Sequence, residues 1–133
     1  MMISTRGRYA LRVMIELAEH SNGEYIPMNE IAKRQNISLK YLEKILPALV
    51  KSKLIQGVHG KGGGYRLTKQ PQEYRIGEIL QLTEGDLAPV ACLECNASTC
   101  ERAQECKTLP MWKEFYGLVN NYFNGITLAD LMK

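Results

Sequence analysis

The four cysteines are the residues whose type and spacing most directly suggest chemistry. Cys92, Cys95, Cys100 and Cys106 all fall within a stretch of 15 residues. Thiolates are soft ligands, and four of them in one short segment suit an iron–sulfur cluster and also zinc. Because thiolates this close together repel one another unless they are protonated or bound to metal, we expect the segment to bind a metal or to sense oxidation.

The placement of the cysteines also bears on the compartment. Disulfides that stabilise a small secreted domain would be spread along the chain, whereas these cysteines are confined to one segment. The first residues lack the apolar block of a secretory signal, and no stretch approaches the roughly 20 apolar residues that cross a bilayer. We therefore expect a cytoplasmic protein with no membrane partner.

Enzymatic chemistry is not indicated by the remaining residues. The two histidines, His20 and His59, fall in a predicted turn and a glycine-rich hairpin, and no grouping of nucleophile, histidine and acid is visible. The glycine run 60–64 is not a phosphate-binding loop, because no Gly-Lys-Ser/Thr follows it and a strand comes next. We predict that the protein is not an enzyme.

The charge of the chain is divided unevenly. Residues 1–75 carry 13 Lys or Arg and 6 Asp or Glu, a net charge of +7. Residues 76–133 carry 4 Lys or Arg and 8 Asp or Glu, a net charge of −4, so the whole chain has only +3. Positive charge gathered in one half is typical of proteins that bind a polyanion.

Three helices are predicted in the basic half. Apolar residues at helical spacing indicate helices over residues 4–19, 27–34 and 39–51. Ser38 suits the N-cap of the third helix, because its hydroxyl can accept a hydrogen bond from an unpaired N–H of the first turn. Pro47 inside that helix predicts a kink. The third helix is expected to bury Leu42, Ile45, Leu46 and Leu49 and to turn Lys40, Tyr41, Glu43 and Lys44 away from the core.

The rest of the chain reads as a hairpin and further helices. Strands over 54–58 and 65–67 enclose a turn over 59–64 that is rich in glycine. Helices are then predicted over 76–84 and from Pro110 to about Tyr122, and Thr127 can cap a last short helix through Leu131. The long helix presents more apolar surface than so small a chain can cover, which predicts a dimer interface. Its predicted interface residues are Trp112, Phe115, Val119 and Tyr122.

Three helices followed by a hairpin are the layout of a winged helix-turn-helix, in which the third helix enters the major groove of DNA and the hairpin, or wing, reaches the phosphates or an adjacent groove. The predicted fold class is mainly α with a small β-hairpin: a winged helix-turn-helix DNA-binding domain at 1–75, and a cysteine-rich sensor segment with a long dimerisation helix at 76–133. Glu43 could accept a hydrogen bond from cytosine N4, although a charged residue on an exposed helix is more often simply solvated. The predicted DNA-binding residues are Arg8, Ser38, Lys40, Tyr41, Glu43, Lys44, His59, Gly60, Lys61 and Gly62.

Three segments resemble signatures of the IscR, NsrR and CymR type of bacterial regulator: residues 4–10 (STRGRYA), 37–43 (ISLKYLE) and 60–65 (GKGGGY). The similarity extends to the cysteine segment, the tryptophan that follows it and the closing ITL at 126–128. The resemblance implies a homodimer that binds palindromic operators in double-stranded DNA and regulates iron–sulfur, cysteine, nitric-oxide or redox genes.

The resemblance also implies a cluster site. Cys100 and Cys106 match the spacing of the last two family ligands, whereas the first family cysteine matches either Cys95 or Cys92. The IscR pattern has a histidine three residues after the last cysteine, and this chain has Leu109 there. The fourth ligand is therefore the remaining cysteine, a residue of the partner subunit or a small exogenous molecule. Our working hypothesis is an all-cysteine site that holds a [2Fe–2S] cluster in preference to a [4Fe–4S] cluster.

Two other interpretations keep the DNA binding. In one, the cysteines form a zinc site or a thiol switch. In the other, the regulator is controlled by a partner enzyme of cysteine metabolism, as the CymR resemblance implies. Visible absorption after anaerobic purification distinguishes a cluster from zinc or free thiols, and a retained enzyme partner would indicate the last interpretation.

Overall fold

The computed structural model describes residues 3–20, 22–94, 98 and 101–132. Three helices open the chain: α1 (Thr5–His20), α2 (Met28–Gln35) and α3 (Leu39–Lys51). The predicted bounds of α1 and α2 differ from these by one residue at each end, and those of α3 are confirmed. The three helices pack around an apolar centre, because each presents a stripe of buried side chains at helical spacing.

The junction between α2 and α3 is fixed by local chemistry. Asn36 adopts the left-handed conformation (φ 53°, ψ 48°) that commonly ends a helix. Two residues later, Ser38 caps α3 as predicted, and its Oγ accepts a hydrogen bond from the Tyr41 N–H at 3.1 Å. α3 continues through Pro47, so the proline does not end the helix.

The wing is a two-stranded antiparallel sheet of β1 (Ile55–Val58) and β2 (Gly64–Leu67), with Ile55 opposite Leu67. Gly64 was predicted to lie in the turn, but it belongs to β2, where it lies opposite Val58. Next to it, Tyr65 pairs with Ile26 through hydrogen bonds of 2.8 and 2.9 Å. Gly64 has φ +148°, and a Cβ there would lie 2.3 Å from the Ile26 carbonyl oxygen. Glycine is therefore required where the wing meets the α1–α2 connection.

The second half contains α4 (Ile76–Glu84), α5 (Leu109–Asn124) and short 3-10 helices at Pro71–Glu73, Ala91–Leu93 and Ala129–Leu131. α4 has its predicted bounds, with Gly85 following at φ +86°. The predicted last helix is a 3-10 turn in which Thr127 Oγ1 accepts from the Asp130 N–H at 3.2 Å, and Asp130 Oδ2 accepts from the Thr127 N–H at 2.9 Å.

One hydrophobic core joins these elements. It contains residues from both sides of residue 75, from Ala10 and Leu17 of α1 to Val119 of α5 and Leu128 near the C-terminal end. Tyr74 lies in the segment between the wing and α4 and is completely buried. Its hydroxyl donates to the Leu54 carbonyl at 2.6 Å and accepts from the Thr68 and Lys69 N–H groups at 2.9 and 3.0 Å. This hydroxyl therefore forms hydrogen bonds with the residue that precedes β1 and with the residues that follow β2, at the base of the wing.

Candidate nucleic-acid interface and cysteine site

The solvent-facing side of α3 carries most of the predicted DNA-binding side chains. Ser38, Lys40, Glu43 and Lys44 are exposed, while Leu42, Ile45, Leu46 and Leu49 are buried as predicted. Because the Ser38 hydroxyl already accepts the capping hydrogen bond, its oxygen is oriented by the helix. Polar groups of a capped first turn are thereby held in fixed positions, which recognition of a base edge requires.

Tyr41 departs from the prediction that it faces away from the core. The side chain is half-buried and packs against the core, and its ring meets the Tyr9 ring edge-on with centroids 5.1 Å apart. The Arg12 guanidinium lies 5.0 Å from the centroid of the Tyr9 ring. The reason is geometric: position 41 lies on the flank of the apolar face of α3, where α1 supplies a second aromatic ring.

The tip of the wing is exposed at His59, Gly60, Lys61 and Gly62. Gly60 and Gly62 have φ of +92° and +80°, conformations that favour glycine, and the Gly63 N–H donates to the Gly60 carbonyl at 3.0 Å. The glycines at 60 and 62 are therefore explained by the backbone conformation of the turn. Absence of side chains at 60 and 62 also leaves backbone exposed beside Lys61.

α3 and the wing adjoin each other. A pocket of about 330 Å³ is lined by Pro47, Val50 and Lys51 of α3 and by Gly57, Val58, His59 and Tyr65 of the wing. The structure thus brings the wing to the C-terminal part of α3.

Arg8 lies apart from these residues in the chain. It is exposed on α1, and its guanidinium donates to Thr5 Oγ1 at 3.1 Å.

Several cations of the basic half are engaged inside the fold. Arg12 donates to Gln35, Arg34 pairs with Glu16 at 3.2 Å, and Arg66 donates to the Gly23 carbonyl at 2.8 Å. Among the residues that the structure describes, no side chain forms a hydrogen bond or ion pair with Lys40, Lys44 or Lys61. α3 and the wing present these three ammonium groups to solvent, together with that of Lys51 at the C-terminal end of α3.

Sequence reasoning missed Glu16, a carboxylate that is only 3% exposed. It accepts from Gln35 Nε2 at 2.8 Å and pairs with Arg34, and His20 Nδ1 lies 2.6 Å from its Oε2. The contacts with Gln35 and Arg34 join α1 to α2. The sequence did contain an indication of this role: Glu16 lies between the buried residues Met14 and Leu17, on the face of α1 that is otherwise apolar.

Two of the four cysteines lie among the described residues. Cys92 is exposed in the 3-10 turn Ala91–Leu93, and Cys106 is half-buried three residues before α5. Cys95 and Cys100 lie outside the described residues. Within the described part of the chain, no three His, Cys, Asp or Glu side chains are close enough together to hold a metal ion.

Cys106 has a hydrogen-bonded environment. Its Sγ lies 3.4 Å from Thr108 Oγ1. The hydrogen bond from the Thr108 side chain is the main cause that lowers the pKa of the Cys106 thiol, with further contributions from the Thr108 and Leu109 backbone and the charge of Arg102. Because the thiolate is the form that ligates metals and reacts with oxidants, Cys106 is prepared for either chemistry.

The face of α5 is apolar and exposed, with one correction to the predicted set. Val119 is 9% exposed and belongs to the core, in the same cluster as Leu128, because α5 packs against α4. Trp112 is half-buried. Met111, Phe115, Leu118 and Tyr122 are instead the apolar side chains that are 40–66% exposed. Their spacing of four, three and four residues forms one stripe along the helix.

Comparison with known proteins places the chain in a family. The family Rrf2, described as an iron-dependent transcriptional regulator, matches residues 3–133. The chain belongs to the Rrf2 family. Protein rrf2 of Nitratidesulfovibrio vulgaris is 36% identical, in an alignment that covers 100% of this chain and 88% of the relative. The HTH-type transcriptional regulator IscR of Vibrio cholerae is 34% identical, with 99% of this chain and 75% of the relative covered.

Solved structures support the same assignment. CymR (YrzC), the global cysteine regulator of B. subtilis, superposes with a TM-score of 0.80 at 33% identity, covering 98% of this chain and 95% of that one. The expected resemblance and the mainly α fold with a small hairpin are thereby confirmed. This Rrf2-family protein is a transcriptional regulator of the IscR type, and its relatives are regulators rather than enzymes. No helix among the described residues is long and apolar enough to cross a bilayer.

Proposed function

We propose that this Rrf2-family regulator binds palindromic operators as a homodimer and senses iron–sulfur or redox status through a cluster ligated by its cysteine segment. The observation that carries the proposal is the combination of two features in one short chain. One is a capped, lysine-bearing α3 beside a glycine-rich wing, and the other is a group of four cysteines directly before α5. Since a regulator acts where DNA lies, we also propose a cytoplasmic location.

The DNA-binding part rests on charge and exposure. Lys40 and Lys44 on α3 and Lys61 on the wing are exposed and have no acidic partner among the described residues. Such lysines bind phosphates, and each phosphate contact steepens the salt dependence of affinity. Arg8, Ser38, Tyr41, Glu43 and the wing-tip residues His59, Gly60 and Gly62 complete the proposed surface.

The DNA-binding proposal is tested by salt titration of the affinity for an operator selected from random duplexes. Lys44→Ala or Lys61→Ala should weaken binding and reduce the slope of log affinity against log salt by about one for each phosphate contact removed. Lys113→Ala on α5 is the matched control, since that lysine is exposed but lies in the acidic half. Equal slopes for Lys44→Ala and Lys113→Ala would contradict the proposed interface.

The cysteine site is supported by the chemistry of its donors. Four thiols within 15 residues suit an iron–sulfur cluster, and the hydrogen bond from Thr108 favours the thiolate of Cys106. We propose Cys100 and Cys106 as ligands together with Cys92 and Cys95, in an all-cysteine site for a [2Fe–2S] cluster. When bound, such a cluster supplies a redox-active group. The chain's own part is to present thiolates directly before α5.

The cluster proposal is tested by the visible spectrum and by iron and sulfide content after anaerobic purification. Cys100→Ala and Cys106→Ala should each be colourless. If Cys92 and Cys95 can substitute for each other, each single variant keeps some absorption and the double variant has none. If both single variants are colourless, all four sulfurs are required, whereas full colour in the double variant would exclude both residues.

A zinc site or thiol switch is the second candidate. It is favoured by the exposure of Cys92 and the lowered pKa of Cys106, which are the properties of an oxidisable thiol. The similar protein CymR is the global cysteine regulator of B. subtilis, and control by an enzyme of cysteine metabolism is the corresponding partner hypothesis. Metal analysis of colourless native protein separates zinc from free thiols, and a co-purified enzyme would indicate partner control.

A further inference from the structure

Exposed large apolar side chains in the N-terminal half lie on α3 and on the wing. Among the described residues up to 75, the large hydrophobic side chains that are strongly exposed are Leu39 (46%), Val50 (37%) and Val58 (47%). Leu39 and Val50 lie on α3, and Val58 lies on β1 of the wing. None lies on α1 or α2. Exposure of an apolar side chain to water is unfavourable, so a contact that buries it in a complex would be favourable.

Leu39 is the member of this set at the N-terminal end of α3. It is the first residue of the helix and follows the Ser38 cap directly. The cap and the Leu42 N–H, which donates to the Ser38 carbonyl at 3.0 Å, fix the backbone of this turn. The core does not need Leu39, because the buried face of α3 is complete without it: Leu42, Ile45, Leu46 and Leu49 are at most 1% exposed.

The neighbours of Leu39 define the chemistry of the stripe. Glu43 follows four residues later, so its side chain is adjacent to Leu39 on the helix surface. Lys40 and Lys44 form the next stripe and are exposed. The N-terminal residues of a recognition helix are those that meet base edges. The one apolar group on the base edges of the major groove is the C5-methyl of thymine.

We propose that Leu39 is a specificity-determining residue that contacts the C5-methyl group of a thymine in each half-site. This inference rests on the proposed DNA binding through α3. Side chains four residues apart on a helix are separated by about 5–6 Å, and each base step rises about 3.4 Å along one strand. The thymine therefore lies one or two base steps from the base pair that Glu43 contacts.

The test removes only the methyl group. The full-length protein selects its preferred duplex from a random library, and each thymine of that duplex is then replaced in turn by deoxyuridine. One replacement in each half-site should weaken binding by the wild-type protein about fourfold, the effect of losing one buried methyl contact. Leu39→Ala should show no further loss with that deoxyuridine, while Leu39→Met, which keeps an apolar side chain, should retain part of the loss.

Val50→Ala is the matched control, because Val50 is similarly exposed on α3 but lies 11 residues further along the chain. It should keep the full sensitivity to deoxyuridine. A wild-type protein that is indifferent to every replacement overturns the inference, and so does a loss that persists in Leu39→Ala. A protein that selects no DNA sequence would instead contradict the proposed function, and this inference with it.

Discussion

At the scale of the residue, the roles of neighbouring side chains on α3 differ and can be separated. Lys44 is proposed to bind a phosphate, which carries no sequence information, whereas Glu43 is proposed to accept a hydrogen bond from a base. Both side chains are exposed, so truncating either should leave the fold unchanged. Their variants should therefore differ in base preference and not in stability.

We expect Glu43→Ala to relax base preference at one position of each half-site by about 1–3 kcal/mol, because a cytosine N4 donor loses its acceptor. Nonspecific affinity should be kept or rise slightly, since a negative charge is removed near phosphates. Competition binding against the four single-base variants of the selected site measures the effect. Lys44→Ala provides the comparison and should weaken all four duplexes equally. If Glu43→Ala has the same base preference as the wild-type protein, Glu43 contacts solvent and not a base.

The Cys106 thiol allows a second prediction at this scale. Its hydrogen bond from Thr108 lowers the pKa of the thiol, so the thiolate persists to lower pH than usual. In metal-free protein with the other three cysteines replaced by serine, Thr108→Val should move the pH profile of iodoacetamide alkylation to higher pH. Backbone donors at Thr108 and Leu109 remain, so the shift should be partial.

Thr83→Val is the control for this profile, because the Thr83 hydroxyl donates only to carbonyls of α4. The Cys106 profile should be the same in Thr83→Val as in the parent protein. If Thr108→Val also leaves the profile unchanged, the threonine hydroxyl does not stabilise the thiolate and the backbone donors alone act on it.

At the scale of the element, sequence periodicity predicted the helices well but not how their flanks pack. The bounds of α3 and α4 and the Ser38 cap follow from local rules and are confirmed. Tyr41 and Val119 were misassigned, because a helical wheel separates two faces and cannot say whether another element covers the edge between them. Glu16 was missed for a related reason: its burial depends on Arg34 and Gln35 of a different helix.

The Tyr74 hydroxyl gives a prediction about the attachment of the wing. Tyr74→Phe leaves the Thr68 and Lys69 N–H groups and the Leu54 carbonyl without their common partner. We expect the free energy of unfolding to fall by about 2–3 kcal/mol, since the buried hydrogen bond to the Leu54 carbonyl and the two part-buried hydrogen bonds from the N–H groups are lost together. Urea unfolding at a fixed protein concentration measures the change as a lower midpoint with an unchanged slope.

Tyr25→Phe is the control for the loss of a hydroxyl. Tyr25 is half-buried under Arg66, whose guanidinium lies 4.4 Å from the ring centroid, and its contact is made by the ring. This variant should unfold close to the wild-type midpoint. A midpoint for Tyr74→Phe that matches that of Tyr25→Phe would mean that water or backbone rearrangement satisfies the groups at the base of the wing.

At the scale of the whole molecule, the two halves differ in charge yet share a core. The basic half has a net charge of +7 and the acidic half −4, and Val119 and Leu128 pack in the same cluster as α1 and α4. A change in the cysteine segment is therefore expected to reach α3 through packed elements and not through a flexible linker. One contact on this route is the Glu84 carboxylate at the end of α4, which accepts from the Ser4 N–H and Oγ at 3.0 and 2.6 Å.

The exposed stripe of α5 gives a prediction about the proposed homodimer. Phe115 is 40% exposed in line with Met111, Leu118 and Tyr122. A contiguous apolar stripe on a helix is typical of an interface between copies, and a palindromic operator requires two α3 helices related by a two-fold axis. Phe115→Glu should therefore raise the dimer dissociation constant at least tenfold in sedimentation experiments, because a charge would be buried in an apolar contact.

Leu82→Glu is the matched variant, since Leu82 is 37% exposed but lies on α4 away from the stripe. It should sediment as a dimer. Phe115→Glu should also lose the tight binding that comes from occupying two half-sites at once, while its weak binding to a single half-site stays near that of the wild-type protein. A wild-type protein that is monomeric at micromolar concentration would contradict this assembly. Dissociation caused equally by both variants would place the interface over α4 as well as α5.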